Sequence, residues 1–198
     1  MNAWPGLWQK LEGRLITLEP LTPDYEEQLR EAGGDAIVWR WMQVDGSDPR
    51  GFDRWFEHAV LTGEEGTEAP FVTVERESRR VLGSTRFMYL RPEHRGVEIG
   101  NTWLSRSAWG GGANIEAKLL MLEHAFERCG CMRVEFKTDA RNVESRRALE
   151  ALPARLEGIF RKHMLIPAGI RDSAYYAIVD DDWATVRANL ERRLASRT

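Results

Sequence analysis

Hydrophobic alternation first appears at Leu15-Ile16-Thr17-Leu18, which predicts a strand between Arg14 and Pro20, and Thr22-Pro23-Asp24 then predicts a helix start. From there to about Gly63 the pattern predicts helix in two pieces. These carry Trp39, Trp41, Trp55 and Phe56, rings whose usual place is a core, with a cleft wall as the alternative. A polar, acidic loop over residues 63–69 precedes Phe71-Val72-Thr73-Val74, a strand, and residues 81–90 read as its antiparallel partner. After a turn holding Pro92 and Gly96, residues 97–104 add a third strand, so the three form a meander. The period then changes. Ile115, Leu119, Leu122 and Phe126 recur at helical spacing while Glu116, Lys118, Glu123 and Arg128 occupy other faces, so residues 115–129 predict an amphipathic helix. Met132, Val134 and Phe136 alternate with Arg133, Glu135 and Lys137 as a strand. Asn142 is placed to cap a second helix through Leu152, with Glu144 near its positive end; strands follow near 156–166 and 175–179, and Asp182 before Trp183 predicts a capped terminal helix.

Composition narrows the classes. The 198 residues are 42% hydrophobic and 30% charged, with no repeat or linker to divide them, which predicts one domain over residues 1–198. No apolar run reaches bilayer length and the start, Met1-Asn2-Ala3-Trp4-Pro5, lacks the regions of a secretory signal; the expectation is a cytoplasmic protein with no membrane partner. A net charge of −3 argues against a protein whose work is covering nucleic acid. Cys129 and Cys131 flank Gly130 without zinc-finger spacing, so both read as reduced thiols and no metal is expected.

The most informative stretch joins the third meander strand to the helix through Trp109-Gly110-Gly111-Gly112-Ala113-Asn114. Three glycines let the backbone turn N–H groups inward without a Cβ in the way, and the helix adds its unpaired first-turn donors and positive dipole end. That order predicts an anion cradle, hence a phosphate-bearing ligand. A nucleotide triphosphatase loop would need Lys followed by Ser or Thr where Asn114-Ile115 stands, and a dinucleotide fingerprint would open the first crossover of a parallel sheet rather than follow a meander.

With these landmarks the chain resembles the GNAT N-acetyltransferase superfamily, in particular its RimJ/RimL-like branch of ribosomal-protein N-acetyltransferases. The residues that carry the resemblance are Glu98-Ile99-Gly100, residues 109–117, Asn142-Val143-Glu144-Ser145, Leu156-Glu157-Gly158, Arg171-Asp172 and Tyr176. It implies an α/β (α+β) acyltransferase fold: a central, mostly antiparallel twisted sheet, a splay between the fourth and fifth strands, helices on both faces, and a cofactor-binding core over about residues 81–183. It also implies acetyl-coenzyme A as donor, its pyrophosphate on the amides of Gly110, Gly111, Gly112, Ala113 and Asn114. The pantetheine arm and thioester carbonyl would meet backbone amides at Trp103 and Leu104, beside a β-bulge for which Asn101-Thr102 supplies the extra residue. Asn142 matches a pantetheine contact, with helix capping as the alternative, and Ser145 matches a serine proposed to protonate the departing thiolate. Leu149 stands where many relatives carry an acidic tyrosine.

An amine nucleophile must lose a proton, so a base should face the acetyl group. By resemblance Glu98 is the first candidate, with a strand-surface carboxylate as the alternative. Met164 holds a position where some relatives place a glutamate, which leaves His163, His94 and Asp172 as weaker substitutes. Arg171-Asp172 and Tyr176 match the family near its last strands, where loops line the acceptor side, but an ion pair and a packed ring are the preferred readings; Arg146 and Arg147 are within reach of the coenzyme's phosphates by the same resemblance, with a solvated basic helix face preferred. The implied reaction is direct acetyl transfer to a primary amine, a protein N-terminus or a small molecule. The alternatives are a noncatalytic acyl-coenzyme A sensor or an enzyme using a longer acyl chain. Family habit suggests a homodimer.

Overall fold

Three strands form where hydrophobic residues are densest: β3 (Ala69–Glu75), β4 (Val81–Arg91) and β5 (Gly96–Leu104). Alternate side chains on them serve different cores, because successive Cβ atoms point to opposite faces. Phe71 packs with Leu18, Phe87, Val97 and Ile99 against α3 (Ala113–Glu123) and α5 (Trp183–Ala195). Val72 and Val74 pack instead with Leu29 of α1 (Glu26–Ala32) and Phe52, Trp55 and Phe56 of α2 (Pro49–Glu65). The sheet is thus covered on both faces, and this is why β3 and β4 read as nearly continuous apolar runs. The computed structural model describes Trp4 and residues 6–197; residues 1–3, Pro5 and Thr198, and with them most of the N-terminal start discussed above, lie outside.

The remaining strands are β1 (Leu11–Glu12), β2 (Ile16–Pro20), β6 (Arg133–Asp139), β7 (Arg155–Ile166) and β8 (Gly169–Val179). They complete an eight-stranded sheet of order β1-β2-β3-β4-β5-β6-β8-β7, antiparallel except at β5–β6. The two-residue β1 escaped the sequence pattern, so the splayed strands, fourth and fifth by sequence, are β5 and β6. Among the described residues no helix is long and apolar enough to cross a membrane.

Two helical expectations change. The helix after the glycines begins at Ala113 and widens into a π-turn over His124–Arg128, and two of its polar positions are not solvated, whereas Glu123 is half-buried and Arg128 exposed. Glu116 and Lys118 are both buried, because at these positions α3 faces the start of β2 and the β5 bulge rather than solvent. Glu116 accepts hydrogen bonds from the N–H groups of Arg14, Leu15 and Ile16 at 2.8, 2.7 and 2.7 Å, holding the start of β2 against α3. The terminal helix α5 forms as expected, but the Asp182 side chain makes no capping bond; a 3-10 turn over Asp180–Asp182 leads the chain in.

Candidate active site

The parallel pair β5–β6 holds only for Gly96 with Arg133, Val97 with Val134 and Glu98 with Glu135. Beyond Glu98 the two strands diverge, and β5 N–H groups directed at β6 lose their ladder partners. A bulge coincides with the divergence: between Ser84–Trp103 and Arg86–Gly100 two steps on β4 face three on β5, and Asn101 takes φ +49°. Asparagine tolerates that left-handed conformation, and its Oδ1 accepts from Trp55 Nε1 at 2.9 Å, which fixes the bulge to α2. The bulge expected at Asn101-Thr102 is therefore present.

At the far end of β5 the glycine turn meets α3. Gly110 and Gly112 have φ of +78° and +93°, conformations that L side chains rarely adopt, and a Cβ on Gly112 would come within 3.1 Å of Leu15 Cδ1. Among the described residues no acceptor pairs with the N–H groups of Gly110, Gly111, Gly112, Ala113 or Asn114; the first helical bond in this segment is Glu116 N–H to Gly112 O at 2.9 Å. Five free donors at a helix N-terminus suit a phosphate. Arg197, two residues past the end of α5, donates to Gly110 O and steadies the turn.

One cavity of about 800 Å³ connects the cradle, the splay and the open face beyond it. Glu98, Trp103, Leu104, Gly110, Gly112, Asn114, Asn142 and Ser145 line it, so the structure brings together most of the residues picked from sequence. Gly111 and Ala113 do not line it, and the Trp103 ring turns away into the second core, 4.8 Å from Trp39 and 5.4 Å from Trp55. The helix α4 (Val143–Glu150) starts at the cavity wall. Asn142 does cap it, its Oδ1 accepting from Ser145 N–H at 3.1 Å, which leaves the Asn142 amide donors for other partners. The half-buried Ser145 hydroxyl has no partner among the described residues.

Glu98 is 4% exposed, so the alternative of a strand-surface carboxylate falls. Burial raises its pKa above the usual carboxylate value against the opposing pull of Lys137, whose Nζ lies 3.5 Å away. His163 pairs with Ser173 and Tyr175 outside the cavity lining, His94 is exposed beside Glu93, and Asp172 accepts from Lys162 N–H at 2.6 Å; none faces Glu98 across the cavity. Arg171 and Asp172 do not pair with each other, since neighbours on a strand point to opposite faces; Arg171 lines the cavity with its Nε on Ser173 Oγ at 3.0 Å. Tyr176 is a packed ring, as one reading had it. Arg146 is tied inward to Tyr176 Oη at 3.0 Å and Ala140 O at 3.3 Å rather than solvated.

Sequence patterning missed Lys118. Its Nζ lines the same cavity, donates to Thr102 Oγ1 of the bulge at 3.1 Å and sits 5.8 Å over the Phe136 ring. Burial alone, with no carboxylate contributing, pushes its pKa down to about 7. The available signal was its i, i+4 spacing from Asn114, which puts both on one helix face. Trp41 was also undecided between core and cleft. It is half-buried and lines the cavity, whereas Trp39, Trp55 and Phe56 are core. Among the described residues no group of three or more His, Cys, Asp or Glu is placed to hold a metal ion.

Comparison with known proteins agrees with this geometry. The chain is 26% identical over 173 residues to the uncharacterized N-acetyltransferase p20 of Bacillus licheniformis, covering 85% of this chain and 95% of that one. It superposes on a GCN5-related N-acetyltransferase from Brucella melitensis with TM-score 0.86 at 26% identity, over 94% and 86% of the two chains. An acetyltransferase structure from T. thermophilus gives 0.79 at 35% identity, over 98% and 100%. The family model of the acetyltransferase (GNAT) domain matches residues 15–155, which take in β2, the bulge, the glycine cradle and α4. Fold, family match and relatives agree, and the chain belongs to the GNAT family of acetyl-coenzyme A-dependent N-acetyltransferases.

Proposed function

We propose that this chain moves the acetyl group directly from acetyl-coenzyme A to a primary amine that enters from the sheet face carrying Glu98. The observation that carries the reading is the continuity of one cavity from the free N–H groups near Gly112, through the splay, to the buried Glu98 carboxylate. The amides of residues 110–114 hold the donor's diphosphate, where a helix start contributes roughly 0.3 to 1 kcal/mol per charge beyond the hydrogen bonds. The β5 N–H groups on the β6 edge beyond Glu98, that of Leu104 among them, lie where the strands part, aimed at the pantetheine arm and at the charge that develops on the thioester oxygen, whereas the Trp103 N–H faces β4 opposite Ser84. A fixed donor there is worth several kcal/mol in the transition state. The free amide donors of Asn142 add a contact from α4.

Glu98 takes the amine proton and Ser145 returns one to the sulfur. A carboxylate with a raised pKa is the better base, because its conjugate acid is closer in strength to the ammonium group it relieves. Two variants test the roles by following free thiol release with a panel of amines. Glu98→Gln should lower kcat/KM by about 100-fold or more and remove the acid limb of its pH profile, a limb displaced above the usual carboxylate range in the parent. Retention of both rate and limb rules Glu98 out. Ser145→Ala should lower kcat by about 10- to 100-fold with donor affinity kept, and an unchanged kcat removes Ser145 from the reaction.

A further inference from the structure

The face of the sheet beyond Glu98 holds an imbalance of charge. Glu98 is answered by Lys137, and Asp139 is answered by Arg141 through Nε and Nη2 at 3.0 and 2.8 Å. Arg171 and Arg40 have no such answer: both line the cavity, and among the described residues no carboxylate lies within 4.0 Å of either guanidinium. Arg171 is 6% exposed, held by one bond from Nε to Ser173 Oγ, and no other partner meets its two terminal nitrogens. Alternation along β8 and its register with β6 place Arg171, Ser173 and Tyr175 on the same face as Lys137, hence on the same face as Glu98. Arg40 and Arg141 lie over the Trp41 ring at 5.0 and 5.5 Å, and all three line the same cavity, which adds the unpaired Arg40 to its positive charge.

A buried guanidinium with no carboxylate in hydrogen-bond reach is costly, although Asp139 and Glu98 offset part of that cost from beyond 4.0 Å, and a planar fork with free N–H groups matches a carboxylate or a phosphonate. We infer that the acceptor is a small amine bearing an anionic group close to its nitrogen, an aminocarboxylate or aminophosphonate, and that Arg171, assisted by Arg40, binds that group so that the amine faces Glu98. This rests on the reading above that the amine enters from the Glu98 face. The same positive surplus disfavours polyamines and other multiply cationic acceptors.

The test compares matched acceptors by thiol release on the full chain: α-amino acids against their primary amides, aminoalkylphosphonates, spermidine, and short peptides with acidic or basic residues after a free N-terminus. Free aminocarboxylates or aminophosphonates should exceed the matched amides in kcat/KM by about 10- to 100-fold, through KM. In Arg171→Met the acid-to-amide ratio should fall close to one, with Arg171→Lys intermediate. The exposed Arg40→Ala, which carries no folding risk from a buried site, should reduce the ratio by about threefold. Amides or spermidine turned over as well as the acids, acidic peptides turned over in place of free aminocarboxylates, or an unchanged ratio in both Arg40→Ala and Arg171→Met overturns the inference and leaves acetyl transfer standing. Absence of turnover with every acceptor, in protein that binds acetyl-coenzyme A, overturns the transfer reading itself.

Discussion

Replacing Gly112 by aspartate should abolish measurable uptake of acetyl-coenzyme A, a loss of at least about 100-fold in affinity by calorimetry. Three effects add. Gly112 holds φ +93°, so any L side chain strains the turn; its Cβ would press on Leu15 Cδ1 at 3.1 Å; and a carboxylate would stand among the N–H groups assigned to the diphosphate. The first two also act on the folded state, so melting temperature will fall. Gly112→Ala separates them. It shares the strain and the crowding but brings no charge, so both variants should lose similar stability, while alanine keeps far more donor affinity than aspartate. Equal affinity in the two variants would mean that the charge is not near the phosphates, and the cradle would have to be placed elsewhere.

Lys118→Met should erase a pH dependence of stability. The parent amine has a folded pKa of about 7 against an ordinary value of 10.5, so the unfolded chain binds the extra proton between those limits. Stability of the parent therefore rises with pH across that window, by about 1.4 kcal/mol per unit, and the penalty for burying the charged form is complete below pH 7. Methionine fills similar space without a charge. The difference between the parent and variant unfolding curves should consequently favour the variant below pH 7 and shrink steadily above it, after allowance for the lost bond to Thr102. A difference independent of pH would show that Lys118 keeps its proton, and that water or an anion reaches it. The comparison is made between curves because Cys129 and Cys131, whose thiols burial pushes up, also titrate in the alkaline range.

How much of the site could be read depended on how local its cause was. The glycine turn was legible because a donor-rich helix start follows from three consecutive residues lacking Cβ, and the bulge because a strand with one residue too many must buckle. Ser145 and Asn142 were legible because a cap and the next turn lie on one helix face. Arg171 was misjudged as a partner of Asp172, although the alternation of a strand already sent them to opposite sides. Lys118 and Glu116 escape the pattern for a different reason: a polar position on an amphipathic helix is solvated only where that side of the helix is free, and here the start of β2 and the β5 bulge cover it.

By itself the sequence determined the kinds of the longer elements, their order, the meander, and the turn whose free backbone donors stand at the start of α3, since each of these depends on contacts a few residues apart. Tertiary structure alone decided which charges are buried and which are answered. Glu98 against Lys137, Lys118 beneath Thr102, and Arg171 with no carboxylate in ion-pair reach are relations between strands and helices 16 to 39 positions apart or more, set by where β5 and β6 part. Solvation and pairing are properties of that assembled space, and no local pattern of hydrophobic and polar residues encodes them.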